Sequence, residues 1–518
     1  MAYFVKSQNL DGTYKVCDLC RLPRSKALNM TLEELTEVAK TERVYGFVDG
    51  IVDCFYKDFA ELLQTEFLRM ELCGDVYLPY LEQTDGNNCE FLGTTSALVE
   101  ATGGVIEIPE FVTIANVGVR SSDDMHFCIR ALKIPNGVRK IYTDFYTNAD
   151  LHLEVLEIPE TVKSMGRTIA FGTQVKSETK GANGSFYIGR LDFKAHMTYI
   201  PSSCFANVDI DEIHLSDTIE RIGNSAFLNM HTKQAVITLP RALQKLDDNA
   251  FYGVDGVQEM LMPDGLQEIG LSCFYESTIR KVILPSSVYA VGKHAFALCR
   301  SLQEVEYSPS IKTVPVYAFS NCTSLRRITG LTQVWRFDAS CFYNCTSLKA
   351  IEFGNEVSLI KPAAFKQSGL ESVRIPFVKY PLDETHGSYI EDNAFENCLQ
   401  LQRVELTGGV ERLGIKAFAN CNKLTYVDIQ HTNIQYIHKS AFLGCIALQE
   451  FRFPEHLNAI AAEVFSYGCM QLQRVRLPRT EIGAELCQKL EAVEYEVFRD
   501  TPAERECKER GLNYTIIG

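Results

Sequence analysis

The side chains able to do chemistry in this chain are its cysteines, histidines and neighbouring carboxylates, and their spacing sets what they can reach. There are 18 cysteines, and "CDLC" places Cys17 and Cys20 at the separation of a metal or redox pair. A structural zinc site needs four ligands, and no second pair follows at a workable distance; Cys54, Cys73 and Cys89 are scattered. Redox use would need a helix start to lower a thiol pKa, and no helix start is evident at "CDLC". The 10 histidines are dispersed. No nucleophile elbow, phosphate-binding loop, HExxH pair or dinucleotide fingerprint occurs. Glu33–Glu34 and Asp123–Asp124 read as solvated surface rather than an acid and base couple. The expectation is a chain with no catalytic residue, no cofactor and no bound metal: not an enzyme.

Most of the other cysteines follow a period. "AFSNCTSLRRI" (Ala318–Ile328) and "CFYNCTSLKAI" (Cys341–Ile351) say nearly the same thing one short step apart. Aligning on the Phe gives Phe171, Phe205, Phe227, Phe251, Phe274, Phe296, Phe319, Phe342, Phe365, Phe395, Phe418, Phe442 and Phe465. From Phe205 to Phe365 the steps are 22 to 24 residues. Such a period marks a solenoid of small units, each unable to close a core alone. Cys299, Cys322, Cys345, Cys398, Cys421 and Cys445 follow their Phe by three residues, while Cys204, Cys273 and Cys341 precede it. Cysteines that recur in this way behave as small buried hydrophobes, and with no visible export signal they are expected to stay reduced.

Each unit carries an alternating strand such as "LQEVEY" (Leu302–Tyr307) or "LQRVRL" (Leu472–Leu477). Proline often follows, at Pro240, Pro263, Pro285, Pro376, Pro454 and Pro478, because it cannot donate to a ladder. A second extended piece comes next ("TIERIG", "GLQEIG", "GVERLG"), then the Phe turn, read as one short helical turn. The Phe must point inward, where its burial contributes about 1.5–3 kcal/mol.

The unit resembles the BspA-type (Treponema pallidum-type) leucine-rich repeat, LxxVxLP…IGxxAFxxCxxL, strongly over about 150–485 and in degenerate turns from about 103. "VIEIPEFV", "ALKIPNGV" and "EVLEIPETV" keep the strand-proline signature there, with Phe145 the relic of a degraded turn. The implied fold is an α/β leucine-rich-repeat solenoid, without the regular Asn ladder of the commoner repeat. Its expected divisions are a non-repeat mixed region over 1–100, the solenoid over 101–485 and a C-terminal cap over 486–518. The resemblance implies a bacterial interaction or adhesion surface, so the function classes are a non-enzymatic protein-binding scaffold, a surface or secreted adhesin for host protein or glycan, and an N-terminal activity targeted by the repeats.

In LxxVxL the residue between the last two apolar positions faces outward. That column reads Glu157, His214, Thr238, Leu261, Ile283, Glu306, Thr329, Glu352, Arg374, Glu405, Asp428, Arg452 and Arg476. It is zoned, with an apolar pair at Leu261 and Ile283, a mostly acidic middle and arginine at the far end. The candidate partner-binding residues are Leu261, Ile283, Glu306, Glu352, Arg374, Glu405, Asp428, Arg452 and Arg476, facing a protein of mixed charge; no aromatic row for sugars or bases appears in the column. Trp335, the single tryptophan, reads as core edge or as exposed contact.

Composition agrees with this reading. Apolar residues are 46% and charged residues 23%, ordinary for a folded soluble chain. The net charge of −15 argues against non-specific nucleic-acid binding. No membrane span and no export signal are visible, which makes the cytosol the default compartment and the cell surface the alternative. Two steps break the period: 34 residues to Phe205 and 30 residues to Phe395, through "TQVKSETKGANGS" and "FVKYPLDETHGSY". Insertions in a solenoid loop out on one face, either as a binding element or as tolerated drift. At the start, a hairpin is expected about Asp11–Gly12 and helices in "TLEELTEVAKTER" and "DGIVDCFYKDFAELLQTEFLRM". At the other end Thr501, Pro502, Glu504 and Gly511 predict a capped helix followed by a final strand.

Overall fold

A short alternating run cannot bury a core by itself, so each repeat has to cover its neighbour's apolar face. The computed structural model describes residues 81–85, 88–91, 94–95, 103–108, 113–116, 119–120, 127–142, 149–166, 186–378, 387–461, 463–465, 468–480 and 493–517. They fall in two compact units, Met1–Ala235 with Leu239–Leu243, and Val236–Thr238 with Gln244–Gly518. The expected N-terminal hairpin and helices, "CDLC", Asp123–Asp124, Phe145, Phe171 and most of both insertions lie outside the described residues.

In the first unit, Phe127–Ile129, Ala149–Ile158, Phe186–Phe193 and Asp209–Leu215 form one parallel sheet. Another sheet runs through Leu81–Asp85, Asn88–Phe91, Ile114–Asn116, Lys140–Tyr142 and Ser164–Met165, and only its first pair is antiparallel. The ladder therefore includes strands upstream of residue 101. The strand-proline stretches do pair as the spacing implies, Val105–Glu107 lying parallel to Ala131–Lys133.

In the second unit the main strands make three parallel sheets. The first holds Val236–Thr238, Glu259–Leu261, Lys281–Ile283, Glu304–Glu306 and Arg327–Thr329; the next holds Ser372–Phe377, Arg403–Gly408 and Tyr426–Asp428. The last holds Glu450–Arg452, Arg474–Arg476, Glu494–Phe498 and Tyr514–Ile517. The second extended pieces form their own ribbon, from Thr313–Val314 to Ala459–Ile460. At Pro263 and Pro285 proline ends the strand and also opens a turn, the Pro263 carbonyl accepting from Leu266 N–H at 3.0 Å and Pro285 doing the same for Val288, whereas Pro376 lies within Ser372–Phe377, opposite Thr407.

The Phe spine is internal. From Phe251 to Phe442 consecutive rings stack at 5.1 to 5.6 Å, and every ring is at most 1% exposed. Phe365 and Phe395 stack at 5.1 Å although 30 residues separate them, so the second insertion leaves the spine undisturbed. Phe205 and Phe227 stack at 5.4 Å in the first unit.

The Phe turns are not helical, which corrects the sequence reading. Residues two before and two after the Phe have positive φ, as Tyr317 (56°) and Asn321 (61°) do around Phe319. Alternate amides reach the next turn: Tyr317, Phe319 and Asn321 N–H donate to Ala339, Cys341 and Tyr343 carbonyls at 3.0, 2.8 and 2.7 Å. The amides between them close locally, Ala318 onto Pro315, Ser320 onto Tyr317 and Cys322 onto Phe319. A helix directs its amides along its own axis and has none left for a lateral neighbour. The positive-φ positions are often Asn or Gly, the residues that tolerate that region best. Their amides form a ladder of their own, Asn344 Nδ2 donating to Asn321 Oδ1 at 2.9 Å and Asn420 to Asn397 at 3.0 Å.

The chain's end follows its signals. Thr501 caps the helix Pro502–Glu509, its Oγ1 accepting from Glu504 N–H at 3.3 Å. Gly511 takes φ +64° after the helix, and Tyr514–Ile517 pairs in parallel with Glu494–Phe498.

Candidate functional site

The recurring cysteines lie in the core, and those that follow a spine Phe have a donor role that spacing alone did not show. Cys322 Sγ points at the Phe296 carbonyl at 3.1 Å, Cys345 at Phe319 at 3.1 Å, Cys398 at Phe365 at 3.1 Å and Cys421 at Phe395 at 3.4 Å. Cys299, Cys445 and Cys469 do the same for Phe274, Phe418 and Phe442. At six of these seven carbonyls, all but Phe418, a backbone amide of the same turn also donates, so the thiol there adds a second donor. Burial pushes the Cys299 thiol up to about 12, and Cys398 and Cys469 up to about 11. A thiol held protonated in this way is a donor and not a nucleophile. Phe296 O also accepts from Cys299 N–H at 3.3 Å, so losing Cys322 leaves it one partner. Cys322→Ala is therefore expected to cost about 1 kcal/mol in urea unfolding, with Cys322→Ser recovering part of it. These thiols should also stay unlabelled by Ellman's reagent until the chain unfolds.

The outward column supplies the candidate binding residues. Leu261 and Ile283 are 45% and 41% exposed on adjacent strands, and Glu306 continues the column opposite Ile283. Glu352 is exposed but belongs to no strand, and Phe353 beside it turns in to meet Phe337 and Phe365 at 5.3 and 5.6 Å. Arg374, Glu405 and Asp428 stand opposite one another across three strands. Arg452 and Arg476 are likewise paired in register, and Glu496 follows in the same column.

Register sets several of the column's charges beside partners of opposite sign. Arg374 and Arg403 both reach Glu405. Arg476 lies 2.9 Å from Glu496 and keeps only 27% of its side chain exposed. Arg474 holds Glu450 at 2.9 Å. Among the described residues, Arg452 has only a long side-chain contact to Glu450 at 3.9 Å, and Asp428 accepts one backbone bond, from Gln430 N–H at 3.1 Å. Trp335 is half-buried, with the Arg336 guanidinium 5.0 Å from its ring.

Between Tyr426–Asp428 and Glu450–Arg452 no ladder forms among the described residues. A polar cleft of about 470 Å³ opens there, which the sequence did not foretell. Among the described residues, no group of three or more His, Cys, Asp or Glu is placed to hold a metal, and no helix is long and apolar enough to cross a membrane.

Parallel strands recurring each turn, a buried Phe spine and an exposed strand column define a leucine-rich-repeat solenoid. The chain belongs to the BspA-type leucine-rich repeat family: the family described as BspA type Leucine rich repeat region (6 copies) matches residues 182–297, 267–386 and 377–492. Among solved structures, it is similar to a leucine-rich repeat protein from Bacteroides ovatus, at 23% identity over 70% of this chain and 92% of that one, TM-score 0.45. It is also similar to a leucine rich cell surface protein from Faecalibacterium prausnitzii, at 18% identity over 83% and 95%, TM-score 0.32. The T. pallidum leucine rich repeat protein matches at 20% identity over 32% and 78%, TM-score 0.26. No curated protein matches the chain.

Proposed function

We propose that this chain is a non-enzymatic protein-binding scaffold that presents its outward strand column to a partner. In this reading residues 101–485 carry the repeat array, and 1–100 and 486–518 are its ends and add strands to its ladder. The observation that carries the reading is the exposed apolar pair Leu261 and Ile283, side by side on rigid strands. Apolar side chains held at the surface by a strand backbone suit a docking anchor, because little backbone entropy is lost on binding. Glu306, Glu352, Arg374, Glu405, Asp428, Arg452 and Arg476 would extend that anchor along the column as polar contacts, with Arg374, Glu405 and Arg476 already in ion pairs.

The double variant Leu261→Glu/Ile283→Glu should fold as the native chain does, since both positions face water. Proteins retained by the native chain from its source lysate are identified by mass spectrometry, and the leading one is purified. The double variant is expected to bind that protein about tenfold or more weakly. Equal binding by both chains would remove this face from the reading.

A further inference from the structure

We propose that the break in the sheet between Tyr426–Asp428 and Glu450–Arg452 is a saccharide-binding cleft that takes a neutral pyranose ring of a glycan. The two strands are neighbours in the repeat yet no ladder joins them, and the space of about 470 Å³ is lined by Tyr426, Asp428, Gln430, His431, Glu450 and Arg452. Gln430 Nε2 bridges the gap by donating to the Arg452 carbonyl at 2.7 Å.

The aromatic platform is Tyr426, which is 40% exposed. Arg403, on the strand to its other side, covers one ring face at 3.9 Å, so the free face turns to the cleft. The negative face of an aromatic ring attracts the polarised C–H groups of a sugar's flat side.

The polar groups suit a ligand without charge. Asp428 has no ion-pair partner among the described residues, and Arg452 reaches only Glu450, which Arg474 already holds. The cleft thus offers a carboxylate acceptor and a guanidinium donor that are not bonded to each other. The carboxylates of Asp428 and Glu450 are balanced by Arg452 and Arg474. A ligand of one charge would meet a like charge beside each opposite one, whereas each sugar hydroxyl both donates and accepts and can serve both the carboxylate and the guanidinium. This cleft does not depend on the protein-docking role of Leu261 and Ile283.

The test applies the full chain to an array of neutral and sialylated glycans and then titrates the retained neutral glycans by calorimetry. Retention of neutral glycans is expected, with Tyr426→Ala and Asp428→Asn each weakening binding about tenfold or more. Tyr426→Phe should bind within about threefold of native, because the platform survives. Tyr436→Ala, an exposed tyrosine on the other ribbon, should bind as native does. Retention of no glycan, retention of sialylated glycans alone, or native binding by Tyr426→Ala would each overturn the proposal. Thermal melting of every variant separates lost binding from lost fold, and Asp428→Asn decides the matter if Tyr426→Ala unfolds.

Discussion

Phe319→Ala is expected to lower the stability of the second unit by about 3–5 kcal/mol and to split its unfolding into two steps. The ring is fully buried between Phe296 at 5.4 Å and Phe342 at 5.3 Å, with Tyr307 edge-on at 6.0 Å. The spine turns on either side have their backbone tied by inter-turn amides, so the walls of the cavity cannot easily collapse, and the large end of the Phe→Ala range applies. Stability in a repeat array is close to a sum of nearest-neighbour terms. Weakening one interface therefore uncouples the turns on either side instead of lowering all of them equally. Urea unfolding followed by circular dichroism should show an early phase absent from the native chain. A single transition at the native midpoint would contradict the spine's role.

The spine was legible because its period is strict and one large ring per turn has only one place to go. The outward column was legible for the same reason, as alternation within a strand fixes which side faces water. Turn conformation was harder to read. Ala-Phe flanked by polar residues looks helical when only spacing is weighed, but the Asn and Gly two positions from the Phe were the sign of left-handed backbone: Asn321, Asn344, Asn397, Asn420 and Gly444. The thiol role was out of reach because each acceptor is a backbone carbonyl more than twenty residues upstream, as Phe296 is for Cys322. The pairing of the column's charges was out of reach for a related reason. A column names the residues that face outward but not those beside them, and Glu496, which neutralises Arg476, lies on a strand beyond the last Phe repeat. The cleft at Tyr426 depends on a ladder that is missing, and no residue pattern states that in advance.

Gly330→Ala is expected to destabilise the second unit by about 3 kcal/mol or more, although it adds one methyl group. Gly330 follows the strand Arg327–Thr329 with φ +83°, a region where a β-carbon is strained. A Cβ there would lie 1.9 Å from the Tyr307 carbonyl oxygen and 2.8 Å from its carbonyl carbon. Tyr307 cannot give way: it is 1% exposed, its N–H donates to Thr329 O at 2.9 Å, and its hydroxyl donates to Thr313 O at 3.1 Å. The added methyl must therefore push two neighbouring turns apart and break the ladder that holds them. Gly511 gives the control, since it has φ +64° and a β-carbon added to it would have nothing within 4 Å. Gly511→Ala meets only the conformational penalty, about 1 kcal/mol. Urea midpoints for the two variants separate the terms, because conformation alone would make them equal while a steric block at Tyr307 makes Gly330→Ala far the worse. Equal losses would mean that the turns around Tyr307 part more easily than their hydrogen bonds imply.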